Sequence, residues 1–392
     1  MPKNYDDFDE SVDLYSVSGT RHSGNSRAAR RKKKKSNPVR VIINTVASIV
    51  LIASILMLTG TVLLGSRPMQ RQNEEEPGLY EELLVSKHSE VSYVLVVGLD
   101  ESESLTDIMM VACVDHERGT MNILQIPRDT FVGTSVPSGK LNAVYANSRD
   151  GESHINALRR RISSNLGIPI DHYVIFTLPA FRNVVDALGG VTMTITQKNG
   201  IVIEDHTQPI KPKLTIGPGE VTLNGMMAEG FVRKRYGSEE GYGNGDLSRV
   251  QQQRIFYAAV AKKMKDMSLS QMLTIATSCY DEVQTSMSVS EMLAYAKEVQ
   301  ALDLDQMQIM TTPGSTAWFN DLSYFSIRRN EYIEMYNTYF NPYGDPLTEE
   351  EVTIPDLVNY LGQTYYGNIM TEGGSLSDIY NNNEGLGGTD AE

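Results

Sequence analysis

The sequence predicts an α/β domain built in layers and preceded by one transmembrane helix. Three features predict it: a charge imbalance between the N-terminus and the remainder, an uncharged apolar run from Val41 to Gly65, and an alternation of strand and helix signals from residue 93 to 196. With 392 residues, 41% hydrophobic and 21% charged, the chain can bury a core and is not of the disordered class.

The charge splits sharply. Residues 1–40 hold ten Lys/Arg and five Asp/Glu, a net of +5, which leaves 25 basic and 44 acidic residues beyond them, a net of -19. Such a split points to two compartments. The overall net of -14 speaks against nucleic acid as a partner. Between the two parts, Val41–Gly65 has no ionisable side chain. It is longer than the roughly 20 residues that cross a ~30 Å hydrocarbon core. The cluster Arg30–Lys35 precedes it, so the positive-inside rule puts the N-terminus in the cytoplasm and residues 66–392 outside the cell membrane. A cleaved signal peptide would be shorter, start earlier and end in an A-x-A-like site, so the run reads as a single-pass signal anchor. Residues 1–40 then form a disordered basic cytoplasmic tail, and 66–90 an acidic extracytoplasmic stalk with a short helix. Cys113 and Cys279 both lie in the exterior part, where a disulfide is permitted. Their apolar surroundings favour buried free thiols instead.

From Ser92 the pattern is that of a packed domain. Tyr93–Leu99 is a continuous apolar run, as in a strand buried on both faces. Asp107–Asp115 and Thr120–Pro127 are two more strands, and the turn His116–Gly119 makes them a hairpin. Ile155, Leu158, Ile162 and Leu166 recur at steps of three and four until Gly167 stops the helix. Arg159, Arg160 and Arg161 read as its solvated face. Ile170–Thr177 is a strand, Pro179–Leu188 a helix with Pro at its start and Gly189-Gly190 at its end, and Val191–Thr196 an alternating strand. Asn224-Gly225 turns the chain into a short helix. A Gly-rich loop at 238–245 leads to a long helix from Leu247 to Met264, with Leu247, Val250, Tyr257, Val260 and Met264 as its apolar face. Helices near 269–279 and 290–301 follow, and Gln306–Thr311 reads as the final strand. Residues 313–370 read as a C-terminal extension and 371–392 as a disordered tail.

The chemistry is not that of a common hydrolase, since G-x-S-x-G, H-E-x-x-H, P-loop and opening G-x-G-x-x-G motifs are absent. Charge instead gathers at strand ends. Asp100 follows the first strand, Asp107 opens the second, and Arg128-Asp129 closes the third. In an α/β fold such residues meet at one rim of the sheet. Two carboxylates there could hold a divalent ion, and oxygen donors favour Mg²⁺. For any single Asp, turn chemistry is the competing explanation. A second constellation is Arg233-Lys234-Arg235 with Asp246, Arg249 and Gln253. On an extended segment Arg233 and Arg235 point the same way, and paired guanidiniums suit phosphate. A surface ion-pair network would use the same residues.

In order along the chain, VVGLD (96–100), TDIMMVACVD (106–115), ILQIPRDTFV (123–132), GKLNAVYA (139–146), LGIPIDHYVIF (166–176) and VVDALGGVTM (184–193) resemble successive blocks of the LytR-CpsA-Psr domain. LNGMMAEGFVRKRYG (223–237) and DLSRVQQQ (246–253) resemble its later blocks. The resemblance spans about 90–260 and places the catalytic domain at 91–312. It implies an α/β/α sandwich with a central mixed sheet. It implies a phosphotransferase of cell-wall assembly that moves a glycopolymer, such as teichoic acid, from an undecaprenyl pyrophosphate carrier to peptidoglycan with Mg²⁺. By the same resemblance Asp100 and Asp107 bind Mg²⁺, and Arg128 is catalytic and contacts pyrophosphate. Lys140, Arg233, Arg235, Arg249 and Gln253 match pyrophosphate-binding positions, and Asp246 a supporting one. Asp107 or Asp129 is the expected acceptor of the attacking hydroxyl's proton.

Two positions depart from the family pattern. Leu105 stands where an arginine is usual, two residues before Asp107, and Gln252 where arginine is frequent. Two fewer positive charges should weaken anion binding. Two other readings therefore stay open: a non-catalytic or regulatory polyprenyl-phosphate-binding membrane protein, and a polyprenyl pyrophosphatase that transfers to water.

Overall fold

The structure, a computed structural model, describes residues 86–235, 246–265, 267–268, 271, 283–287, 306–362 and 373–382. The expected cytoplasmic tail, the span at 41–65, most of the stalk, the loop at 238–245, the helix near 290–301 and, but for residue 271, the helix near 269–279 lie outside the described residues. Among the described residues no helix is long and apolar enough to cross a membrane.

The chain opens with an antiparallel meander, β1 (Val91–Leu99), β2 (Thr106–Asp115) and β3 (Thr120–Gln125). Helix α1 (His154–Leu166) starts at Ser153, whose hydroxyl accepts from the Asn156 amide, and stops at Gly167 with φ 68°. Strand β4 (His172–Phe176) leads into α2 (Leu178–Ala187), capped by Thr177 with Pro179 in its first turn. Four short strands follow: β5 (Val191–Ile195), β6 (Ile201–Glu204), β7 (Lys213–Ile216) and β8 (Gly219–Leu223). Asn224 caps α3 (Gly225–Arg233) by accepting from the Met227 amide. Next come α4 (Asp246–Lys265), β9 (Val283–Thr285), β10 (Gln308–Thr311), β11 (Gly314–Phe319) and β12 (Leu322–Ile327). The last described elements are α5 (Arg329–Tyr339), α6 (Leu357–Tyr360), β13 (Gly373–Ser375) and α7 (Leu376–Asn382).

Seven strands form the central sheet in the order β13-β10-β3-β2-β1-β4-β9. The β1–β4 and β3–β10 pairs are parallel and the others antiparallel, so the sheet is mixed. Alternate residues of β1 feed two cores. Val94 and Val96 join Val185 of α2, Phe231 of α3 and Phe256 of α4. Tyr93, Leu95 and Val97 join Leu158 and Ile162 of α1 and Tyr332 of α5. Helices thus cover both faces, which makes the expected α/β/α sandwich. Cys113 is the buried free thiol expected, and burial pushes its pKa up to about 12.

The expected strand at 191–196 is β5, which lies outside the central sheet and pairs with β8. Several expectations need correction. Helix α4 has no solvent face over its middle, because Ser248 through Ala261 are all buried between the sheet and its helical neighbours. The arginine triplet is not a solvated face. Three successive helical residues span too wide an arc to avoid an apolar stripe together. Arg159 is buried and donates to the Ile170 carbonyl, Arg160 grips Glu152 through Nε and Nη2 at 2.8 and 2.9 Å, and Arg161 donates to the Val132 carbonyl.

Strand β10 is not the final strand, and residues 373–382 are not part of a disordered tail. β13 pairs antiparallel with the open edge of β10, and Leu376 and Ile379 of α7 are buried in the core. A chain ending at residue 372 therefore uncovers the β10 edge and two core side chains, each worth about 1.5–3 kcal/mol. The expected result is a lower Tm in thermal unfolding of the truncated protein, and an unchanged Tm would show that this segment is not docked.

Candidate active site

Topology brings the charged strand ends together. β1 runs one way, β2 returns, and β3 runs back again, so the end of β1, the start of β2 and the end of β3 share one rim. Asp100, Asp107 and Arg128 stand there. The C-terminus of α3 and the first turn of α4 add Arg233 and Arg249 to the same rim. With Glu101, Ser102 and Arg235, the residues Asp100, Asp107, Arg128 and Arg233 line an open cavity of about 440 Å³.

Arg128, Lys140, Arg233 and Arg249 each lie beside a carboxylate. Arg128 Nη1 lies 2.5 Å from Asp107 Oδ1, and Arg249 Nη1 lies 3.6 Å from the same oxygen. Arg128 Nε lies 3.8 Å from Asp129 Oδ1, which also takes Lys140 Nζ at 3.1 Å. Lys140 in turn sits over the Tyr324 ring. Arg233 Nη1 pairs with Glu229 Oε1 at 2.7 Å, and Arg182 reaches the other oxygen of Glu229 from α2. Arg233 Nη2 also lies 3.6 Å from Glu101, which takes Lys211 of the β6–β7 hairpin at 3.2 Å. The Lys211 hydrogen bond, aided by Arg233, holds the Glu101 carboxyl below the usual range. His206, on that hairpin, is held below the usual histidine range by burial and then by the charge of Arg233.

Asp100 is shaped by its own loop. Its Oδ1 accepts from the Ser104 and Leu105 amides, and Ser102 Oγ reaches both oxygens. Asp107 Oδ2 has no hydrogen-bond partner among the described residues. No group of three or more metal-ligating side chains stands together among the described residues. Two carboxylates facing one open cavity are nevertheless what a phosphate-bound Mg²⁺ asks of a protein, since substrate oxygens and waters complete its shell. The cavity mouth also sets three guanidiniums against three carboxylates, so a bound diphosphate leaves charge for a cation to offset.

Behind the rim a second cavity, about 80 Å³, runs between the sheet and α2, α3 and α4. Its walls are hydrocarbon from Val96, Met110, Phe181, Leu188 and Val260, and its polar end is formed by Asp107, Arg233, Arg249 and Gln253. The apolar and charged cavities share Asp107 and Arg233. An apolar wall and a charged rim thus stand side by side.

A family model for the LytR_cpsA_psr family matches residues 62–341. The chain belongs to the LytR_cpsA_psr family. It is 26% identical over 255 residues to the polyisoprenyl-teichoic acid–peptidoglycan teichoic acid transferase TagU of Bacillus cereus, covering 63% of this chain and 76% of that one. Its fold is similar to that of protein gbs0355 from Streptococcus agalactiae, with TM-score 0.56, 19% identity, and coverage of 70% and 95% of the two chains. It is also similar to a structure of TagT bound to LIIa-WTA, with TM-score 0.52, 21% identity, and coverage of 71% and 97%.

Within this LytR_cpsA_psr chain, most residues singled out from the sequence meet at one rim. The pairing of Arg233 with Arg235 and the places of Gln253, Lys140 and Asp129 differ from expectation. Arg233 and Arg235 are not side by side on a strand, because Arg233 closes helix α3. Gln253 donates to the Val232 carbonyl and so ties α4 to α3. Lys140 and Asp129 stand behind Arg128 and do not line the open cavity. Asp246 opens α4, and its side chain is outside the described residues. Sequence reasoning missed Glu229, Arg182, Glu101 and Lys211. Glu229 carried a faint signal, since it lies four residues before Arg233 in a helix. The other three meet only through tertiary structure.

Proposed function

We propose that this chain is a cell-wall transferase that attaches a glycopolymer from a polyprenyl pyrophosphate carrier to peptidoglycan. The observation that supports it most is the apolar cavity opening onto the arginine–aspartate rim. The two cavities meet at Asp107 and Arg233, which sets a place for lipid beside a place for diphosphate. The relatives named as polyisoprenyl-teichoic acid–peptidoglycan transferases support the same chemistry. The uncharged run at 41–65 and the basic cluster before it support a single-pass anchor in the cell membrane, with the domain outside.

The side chains divide the work by position. Arg128, Arg233 and Arg249 neutralise the diphosphate and the charge that grows on the departing polyprenyl phosphate. Glu229 and Asp107 hold those guanidiniums in place. A hydroxyl of the wall attacks the phosphorus nearest the polymer, and the bond from that phosphorus to the carrier phosphate breaks. Of the two carboxylates considered for the proton, Asp107 lines the cavity and Asp129 does not, but metal ligation at Asp107 would compete with that role. Asp100 and Asp107 would hold Mg²⁺, which supplies positive charge at the phosphate oxygens.

The test uses the full-length protein with a lipid-linked glycan and peptidoglycan. Polyprenyl monophosphate should form when Mg²⁺ and peptidoglycan are both present, and should stop with a chelator. Carrier that binds without turnover would point to a non-catalytic protein. Equal phosphate release without peptidoglycan would point to a pyrophosphatase.

A further inference from the structure

The apolar cavity contains one polar group that its hydrocarbon walls do not account for. Tyr257 is 4% exposed, lines the cavity, and its hydroxyl has no hydrogen-bond partner among the described residues. A buried hydroxyl without a partner opposes folding, so its presence in this wall calls for an explanation. Burial pushes the phenol well above its usual range, with Arg249 acting against that shift. The group therefore stays protonated and is available as a donor, within the field of the Arg249 guanidinium.

Its place along α4 says what it can reach. Arg249, Gln253 and Tyr257 follow at steps of four and all line the cavity, each step rising about 6 Å. Helical side chains lean toward the N-terminus, so the phenol of Tyr257 extends back over the Gln253 turn in the direction of Arg249. Gln253 and Arg249 belong to the polar end of the cavity, so the phenol is directed from the hydrocarbon walls toward that end. A carrier with its hydrocarbon in the cavity has its first polar atoms, the oxygens of the phosphate esterified to the lipid, at that end.

We infer that the Tyr257 hydroxyl donates a hydrogen bond to the lipid-side phosphate of the carrier and so fixes how deeply the carrier seats. This rests on the polyprenyl-carrier reading given above. The hydroxyl would favour a phosphorylated polyprenyl chain over the matching alcohol.

The test compares wild type and Tyr257→Phe as full-length proteins in detergent. The probes are a short polyprenyl pyrophosphate and the polyprenol of equal length. Wild type should bind the pyrophosphate. The variant should bind it about tenfold more weakly, the loss of one hydrogen bond to a charged group. Its affinity for the polyprenol should be unchanged and its Tm at least as high, since an unpaired buried hydroxyl has been removed. Equal pyrophosphate affinity in both proteins would overturn the inference and leave the carrier reading intact. An equal loss for both probes would also overturn it, because it would show a packing role alone. Failure of wild type to bind the pyrophosphate would overturn the carrier reading, and this inference with it.

Discussion

Arg128→Ala should lower the rate of polymer transfer by about 10²–10³-fold, the usual cost of removing one preorganised donor from a developing anion. Among the described residues, Arg128 alone of the open cavity's arginines lies beside both Asp107 and Asp129, at 2.5 and 3.8 Å. Its guanidinium therefore stands fixed before substrate arrives, and little reorganisation is needed. Arg249 remains near Asp107 in the variant, so the rim keeps some positive charge. Arg128→Lys should recover only part of the loss, since an ammonium keeps the charge but not the planar fork. Steady-state kinetics with a Tm control check both variants. Unchanged kcat in a folded Arg128→Ala protein would remove this residue from the mechanism.

Glu229→Ala should have the larger effect on stability. The Glu229 side chain is 1% exposed and bridges Arg182 at 25% and Arg233 at 18%. Without it two guanidiniums face each other in a partly buried place. Breaking such a pair from one side destabilises by about 3–5 kcal/mol. At roughly 2–4 °C per kcal/mol, Tm should fall by at least about 6 °C. Arg233 would also lose its anchor, so KM for the carrier should rise in whatever fraction stays folded. A Tm within a degree or two of wild type would mean that the bridge does not hold α2 and α3 together.

How much was legible in the sequence follows from how local each signal is. The apolar run at 93–99 foretold a strand buried on both faces, and β1 is one, feeding two cores. Ser153, Thr177 and Asn224 mark helix starts because a cap needs only its own next few residues. Asp100, Asp107 and Arg128 could be placed together because they flank consecutive strands. Long-range contacts gave no such signal. The three residues of β13 are too few and too glycine-rich to read as a strand, and only the free edge of β10 makes them one. The periodicity of α4 named an apolar face but not that neighbours cover the opposite one, including Arg254, which reaches Gln125 and Thr311 of the sheet. Glu229 and Arg182 are 47 residues apart, and nothing local joins them.

The most direct test of the transfer reading is where the polymer ends up. The full-length protein would be incubated with Mg²⁺, peptidoglycan, and a polyprenyl-pyrophosphate-linked glycan labelled in its sugar. The peptidoglycan would then be stripped with hot detergent and digested with a wall hydrolase. The expected result is label covalently bound to peptidoglycan fragments, one polyprenyl phosphate released for each glycan attached, and both lost in Arg128→Ala. Polyprenyl phosphate released with no label on peptidoglycan would contradict the account.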